Sequence, residues 1–332
     1  MGGFRSGTGG RWWWVAVAFV LGCIGTGRCG CFTAIDGRVF DGLTRDSGFQ
    51  GAPGVCRSGP GTKLFLTGQT NDGATLLQIV SREGIAFKRF ASGPYAVDDD
   101  GNPVAWATNL QAHTSTNGAT KALAFATGEE IPVVVPGAFP STFEFSPGGE
   151  FFLLDQPAIP AAMLPGWASA AQPVAFLTAN ATNIDGYAPR WQAVFLTSQP
   201  TKPLFRLPND FYGHGVFTWG DLVVVSGFKF VFGTGSKPGR PDLQGETAWA
   251  LAFGHREPGY ELTRQLDLSR FTGVLDMDPV SGMLLVRGKG EIFADWGLFD
   301  PRTGKYKSLG RAGAHGLFLD CQFSNYLGSR FH

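Results

Sequence analysis

Two phrases of one form, His214-Gly-Val-Phe217 and His315-Gly-Leu-Phe318, stand where short apolar strands begin. A neutral imidazole bonds polar groups and ligates metals, so the pair are candidate ligand contacts. The competing reading is that each ring caps a strand start by bonding neighbouring backbone. No third ligand accompanies them at a metal-binding spacing, so no metal site is expected. Four acids, Glu144, Asp276, Asp278 and Asp320, fall on similar apolar phrases. A hydrolase or lyase would need such carboxylates to converge with histidines, and the spacing singles out no pair. Asp98-Asp-Asp-Gly-Asn102 offers oxygen ligands, but its acids are consecutive where calcium loops alternate them. Its composition suits a turn between strands. Trp167, Tyr187 and Trp191 lie near long insertions and are candidates for stacking on a sugar or a partner surface, with burial in a core as the alternative. Gly233-Thr-Gly-Ser-Lys-Pro-Gly239 lacks the spacing of a phosphate loop and reads as a flexible loop. Gly-x-Ser-x-Gly and His-Glu-x-x-His do not occur. No catalytic residue and no cofactor is therefore expected.

The elements that position these residues repeat. Phe143-Glu-Phe-Ser-Pro-Gly-Gly-Glu-Phe-Phe-Leu-Leu-Asp155 reads as strand, tight turn, strand, and Leu275-Asp-Met-Asp-Pro-Val-Ser-Gly-Met-Leu-Leu-Val286 has the same form. The phrase starts at Pro53, Pro94, Ser141, Gly215, Gly273 and Gly316. Three of the intervals, 41, 47 and 43 residues, match a propeller blade. The longer two hold insertions, one within Gln156 to Arg190 and the other from Phe232 to Glu246. The second strand of each unit is a continuous apolar run, as at Phe151-Phe-Leu-Leu154 and Leu222-Val-Val-Val225, which suits burial on both faces. Hairpins with outer strands follow five of the six starts. The pattern predicts an all-β chain, a single β-propeller of six four-stranded blades. Thr33 to Phe40 is expected to complete the blade begun at Gly316, which would close the ring and remove an open sheet edge.

Composition agrees with many short strands. The 332 residues are 43% hydrophobic and only 16% charged, with 48 Gly and 21 Pro spread between apolar runs. The formal net charge is zero, which argues against a nucleic-acid groove. At the N-terminus Arg5 and Arg11 precede the apolar run Trp12 to Leu21, the order of an export signal. Val20-Leu21-Gly22-Cys23 resembles the lipobox of bacterial lipoproteins, in which the cysteine is acylated. Leu21 and Val20 depart from that pattern, and cleavage near Gly25-Thr-Gly27 to a soluble secreted form stays open. The expected division is a signal peptide over 1–22, a Gly-rich linker over 23–32 and the propeller over 33–332. Acylation of Cys23 leaves Cys29, Cys31, Cys56 and Cys321, an even set for an oxidising compartment. Cys56 and Cys321 fall on the innermost strands of the first and last units, so a disulfide between them is expected. Cys29 and Cys31 are expected to be oxidised rather than to hold a soft metal.

Phe145-Ser-Pro-Gly-Gly-Glu150 and Trp296-Gly-Leu-Phe-Asp-Pro-Arg-Thr-Gly-Lys305 resemble the turns of secreted bacterial β-propellers with WD-like repeats. There Ser-Pro-Asp-Gly precedes the second strand; here Gly148 replaces the Asp. The resemblance implies architecture rather than activity. Two function classes follow as expectations. The first is a non-catalytic binding or assembly module of the cell envelope, membrane-attached through lipid alone, that presents a propeller face to a protein or glycan. The second is an exported hydrolase or lyase working at the channel mouth.

Overall fold

The computed structural model describes residues 31–35, 42–44, 48–91, 94–115, 118–134, 143–157, 190–208, 210–237, 240–289, 296–310 and 315–330. They form five antiparallel four-stranded sheets, each a simple meander, and one two-stranded sheet. The first blade is β2 (Gln50–Arg57), β3 (Leu64–Gln69), β4 (Thr75–Ser81) and β5 (Gly84–Phe90). The second is β6 (Pro94–Val97), β7 (Pro103–Ser115), β8 (Gly118–Phe125) and β9 (Glu130–Val134). The third is β10 (Phe143–Phe145), β11 (Phe151–Pro157), β12 (Arg190–Leu196) and β13 (Pro203–Arg206). The fourth is β14 (Phe211–Trp219), β15 (Leu222–Lys237), β16 (Arg240–Arg256) and β17 (Gly259–Asp267). The fifth is β18 (Phe271–Met277), β19 (Leu284–Gly288), β20 (Trp296–Asp300) and β21 (Lys305–Gly310). A ribbon pairs β1 (Cys31–Ile35) with β22 (His315–Leu319), and helix α1 (Cys321–Arg330) follows it.

The buried apolar runs explain the stacking. Along β11, Leu153 points into a core with Val194, Val216 and Val225, shared with the fourth blade. Its neighbours Phe152 and Leu154 point the other way, into Ala105, Leu123 and Phe125 of the second. Successive side chains leave a strand on opposite faces, so a strand between two blades must be apolar throughout. Val224 likewise packs with Met277, Leu284 and Val286 of the fifth blade. The ribbon lies between the fifth and first blades: Phe32 and Phe318 pack with Leu285 and Trp296, and Ile35 and Leu319 with Leu64, Leu66 and Val80.

The turns after β2, β6, β10 and β18 are each built around one side chain. Ser146 Oγ accepts from Phe151 N at 3.0 Å, while Gly149 N donates to Ser146 O at 2.9 Å. Gly149 has φ of 68°, the left-handed region that glycine enters without a Cβ clash. Ser58 Oγ accepts from Thr62 N and Lys63 N, both at 3.1 Å. In Asp98-Asp-Asp-Gly-Asn102 the Asp98 carboxylate accepts from Asp100 N at 2.9 Å and Asn102 N at 2.8 Å, so this acidic run is the strand-joining turn.

Three expectations are corrected. The sixth four-stranded blade closed by the N-terminal segment is not seen: the described residues form five four-stranded blades, and the sixth unit is the two-stranded ribbon. After β22 the described chain enters α1 in place of an outer strand, because Asp320 Oδ1 accepts from Gln322 N and Phe323 N and starts the helix as its N-cap. Cys321 bonds Cys31, not Cys56, with Cα atoms 4.6 Å apart. Pairing of β1 with β22 sets Cys31 opposite Leu319, two residues from Cys321. Finally, the segment from Phe232 to Glu246 is no loop insertion. It extends the β15–β16 ladder to the pair Lys237–Arg240, and Gly233 to Lys237 are strand.

The interaction joining the first blade to the last is ionic. Arg57 donates to Asp276 from Nε and from Nη2, each at 3.0 Å, with both side chains 3% exposed. Asp276 Oδ2 also accepts from Phe318 N of the ribbon at 2.8 Å. Removing one partner of a buried pair strands the other charge at a cost of about 3–5 kcal/mol. Arg57→Met is accordingly expected to lower the unfolding free energy by about that much in urea titration. A loss below about 1 kcal/mol would show that the pair does not hold the ring together.

Candidate functional site

The inner strands β2, β6, β10, β14, β18 and β22 surround one cavity of about 360 Å³. Counting back two residues from the turn-forming Ser58, Ser146 and Asp278 gives Cys56, Glu144 and Asp276. All three line the cavity. The repeat therefore sets a thiol and two carboxylates at equivalent positions around it.

Their environments separate them. Asp276 is committed to Arg57, Phe318 N and, through Oδ1, Met277 N at 2.9 Å. Arg57 is saturated as well: Nη1 donates to Ser58 O and Gly59 O, and Nη2 to Met277 O. With the two bonds to Asp276, each of its five N–H groups meets a protein acceptor. Cys56 is a free thiol that presents area to the cavity. Desolvation by the surrounding protein, only partly offset by the Arg57 charge, pushes its pKa to about 11. It is a protonated thiol at neutral pH and a poor nucleophile. Glu144 faces the cavity from β10 and is exposed there.

His214 enters from the fourth blade. The β14–β15 ladder shifts register between Gly213 and Gly215, and His214 sits in this bulge, a device that re-aims a side chain. Its ring stacks on Phe228 with centroids 5.0 Å apart and planes 9° from parallel. Nδ1 is buried without a hydrogen-bond partner. Nε2 lies over Gly273 of the fifth blade, 3.8 Å from where a Cβ there would stand. Burial pushes the imidazole pKa below its ordinary value, so the ring is neutral at pH 7.

The remaining candidates fall as follows. His315 is on β22 opposite Ile35, across β18 from His214 in the order of inner strands, and its side chain lies outside the described residues. Trp191 is on β12 opposite Gln156, with its side chain likewise outside. Trp167, Tyr187, Cys23 and Cys29 lie outside the described residues altogether. Asp278 forms its turn by accepting from Ser281 Oγ and from Val280 N at 3.2 Å, and Asp320 caps α1. Among the described residues no three His, Cys, Asp or Glu side chains are grouped to hold a metal ion. Sequence reasoning missed the Arg57–Asp276 pair. Its only signal was a charge closing each of two otherwise apolar phrases, Gly54-Val-Cys-Arg57 and Val274-Leu-Asp276.

No family model matches the chain, and no curated protein matches it. Among solved structures it is similar to the β-propeller domain of the Trilobed protease from Pyrococcus furiosus, at 14% identity and a TM-score of 0.34, over 79% of this chain and 71% of that one. It is also similar to TolB from Acinetobacter baumannii, at 14% identity and a TM-score of 0.33. That match covers 82% of this chain but only 56% of TolB. AztD from Citrobacter koseri is similar at 13% identity and a TM-score of 0.28, over 78% and 73%. Likeness at these identities concerns the fold alone.

The neutral imidazole carries a pH signature. Its folded pKa lies below the unfolded one, so its contribution is complete above the ordinary value near 6.5 and is lost as pH falls through the depressed one. From about pH 7.5 to about pH 5.5, wild-type protein is expected to lose more melting temperature than His214→Phe. Equal losses would show that the ring takes up its proton as freely folded as unfolded.

Proposed function

We propose that the protein is a non-catalytic binding or assembly module of the cell envelope that offers one propeller face to a protein or glycan partner. The observation that carries this reading is where extra chain has been added. The second strand β7 runs 13 residues, and β15 and β16 run 16 and 17. In an antiparallel meander the second-to-third connections leave on the face where the inner strands begin. The second and fourth blades lengthen that hairpin, and the third places residues 158–189 between the same two strands. The opposite face is closed by the tight turns of Ser58, Asp98, Ser146 and Asp278. Extensions gathered on one side of a rigid scaffold are where proteins place their contacts.

The hydrolase or lyase reading loses three of its four acids on inner-strand phrases to the frame. Asp276 is held by Arg57, Asp278 builds a turn and Asp320 caps a helix. A general acid or base must be able to exchange its proton with substrate, and these carboxylates are occupied. The Cys31–Cys321 bond supports an oxidising compartment and hence export. No helix among the described residues is long and apolar enough to cross a membrane. Membrane attachment in this reading comes from acyl chains on Cys23.

Two experiments test the reading. Replacing Phe232 to Gly245 by a two-residue Asn-Gly turn removes the β15–β16 extension and leaves the blade. The shortened protein is expected to melt as wild type does while losing retention on peptidoglycan or on purified envelope proteins. Unchanged retention, combined with a hydrolysis that His214→Ala abolishes, would overturn the binding assignment in favour of catalysis. Intact-mass spectrometry of the native protein is expected to show a mature chain beginning at a Cys23 that carries at least two acyl chains, since one chain anchors only marginally. An unmodified N-terminus near residue 28 would replace the lipoprotein by a soluble secreted form.

A further inference from the structure

We propose that β5, the outer strand of the first blade, is the contact through which two copies of this chain pair edge to edge about a two-fold axis at Ala86. This goes beyond the partner-binding reading above and concerns the rim of the ring, not its hairpin face.

β5 is the last strand of its sheet, and such an edge offers a row of N–H and C=O groups to another strand. The hairpin from β4 turns on Arg82 and Glu83, with Ser81 opposite Gly84. A two-residue turn closes on a hydrogen-bonded pair, so the bonds to β4 fall at Gly84, Ala86, Lys88 and Phe90. The N–H and C=O groups of Ile85, Phe87 and Arg89 therefore point outward.

Edges are ordinarily blunted by proline or by exposed charge. Among the described outer strands, β9 carries Pro132, β13 begins with Pro203, β17 exposes Glu261 and Arg264, and β21 exposes Lys305 and Lys307. β5 instead exposes Ile85-Ala-Phe87 in succession, with Ile85 39% and Phe87 51% exposed. The Lys88 ammonium is drawn to the second blade, where it donates to Asp100 O at 2.9 Å and Asn102 Oδ1 at 2.8 Å.

This strand is complementary to itself. Antiparallel pairing centred on Ala86 sets Ile85 of one protomer opposite Phe87 of its partner, twice over and on one face. Both residues point their backbone groups outward, so these pairs are the hydrogen-bonded ones. Ala86 meets its own copy at the closer, non-hydrogen-bonded position, where a small side chain fits. The same register brings Glu83, exposed in the turn, beside Arg89 of the partner. Arg89 binds Asp72 with both side chains more than half exposed, and five guanidinium donors accommodate a second carboxylate. Charge selects this register, because pairing centred on Phe87 would set Arg89 against Ile85. A strand that supplies both charges and both apolar residues is matched by a second copy of itself, and a two-fold dimer uses each contact twice.

Sedimentation equilibrium of the full chain over about 1–100 μM tests this, with a reversible dimer expected. Phe87→Lys and Glu83→Arg should each weaken the dimer about tenfold or more, and Glu83→Arg combined with Arg89→Glu should regain most of the loss from Glu83→Arg. Under mild oxidation Ala86→Cys is expected to link protomers where wild type does not, and Phe87→Cys is expected to link far less. Should Phe87→Lys fail to fold, the two cysteine variants decide the matter. The proposal is overturned if wild type stays monomeric, or if a folded Phe87→Lys dimerises like wild type. It is equally overturned if Ala86→Cys links no better than Phe87→Cys, or if the double charge reversal dimerises no better than Glu83→Arg. Protein lacking the β15–β16 extension should dimerise unchanged, so failure here is distinguishable from failure of the partner-binding reading.

Discussion

A ring of sheets has one place where its first and last members must meet, and here a single buried ion pair spans it. Arg57 ends the first inner strand and Asp276 lies near the end of the fifth, 219 positions apart in the chain. The other junctions between blades are packed with apolar side chains and carry polar bonds such as those of the Gln192 amide to the Gly213 backbone. This one adds two charges that tolerate only each other, together with the backbone N–H of Phe318. The arrangement favours specificity over net energy. A buried pair gains little over well-packed hydrophobes, but a mispaired one is severely penalised, so the ring is held in one register. The same saturation removes both groups from chemistry.

The ribbon between the end blades shows how little chain is needed to fill the gap. Two five-residue strands and one ten-residue helix cover the apolar faces that β3 and β19 present to each other. Residues from the two ends of the described chain are joined there by Cys31–Cys321 and by the Thr33 and Ser324 hydroxyls. A disulfide closing a loop of 290 residues removes much unfolded-state entropy, on the order of 5 kcal/mol at most. That constraint acts on the seam that would otherwise open first.

With the seam closed, the first, third and fifth blades each give the cavity a residue from an equivalent position. Evolution of such a site needs no new loop: changing the residue two before the turn alters the lining and leaves the blade cores untouched. Cys56, Glu144 and Asp276 occupy that position with three different fates, a protonated thiol, a cavity-facing carboxylate and half of the suture. The hairpin face and the cavity draw on different strand ends, so residues at one can change without altering the other.

Sequence alone determined the strands and their order. Phe151 to Leu154 had to be buried on both faces, and Ser146 or Asp98 followed by glycine had to be a turn, because alternation and side-chain-to-backbone bonding are local. The five complete units were legible for that reason. Only the tertiary structure decided how the ends meet. Asp320 caps a helix where a repeat-based reading expects another turn, and that choice depends on apolar cover from Phe323 and Leu327 over the first blade. The partner of Cys321 follows from the β1–β22 register, and the partner of Asp276 from closure of the ring. The strand conformation of the segment after Phe232, despite its glycines, reflects pairing with β16 that no local pattern announces. Contacts between residues hundreds of positions apart leave no trace in spacing, and those contacts decided the seam, the disulfide and the chemistry left to the cavity.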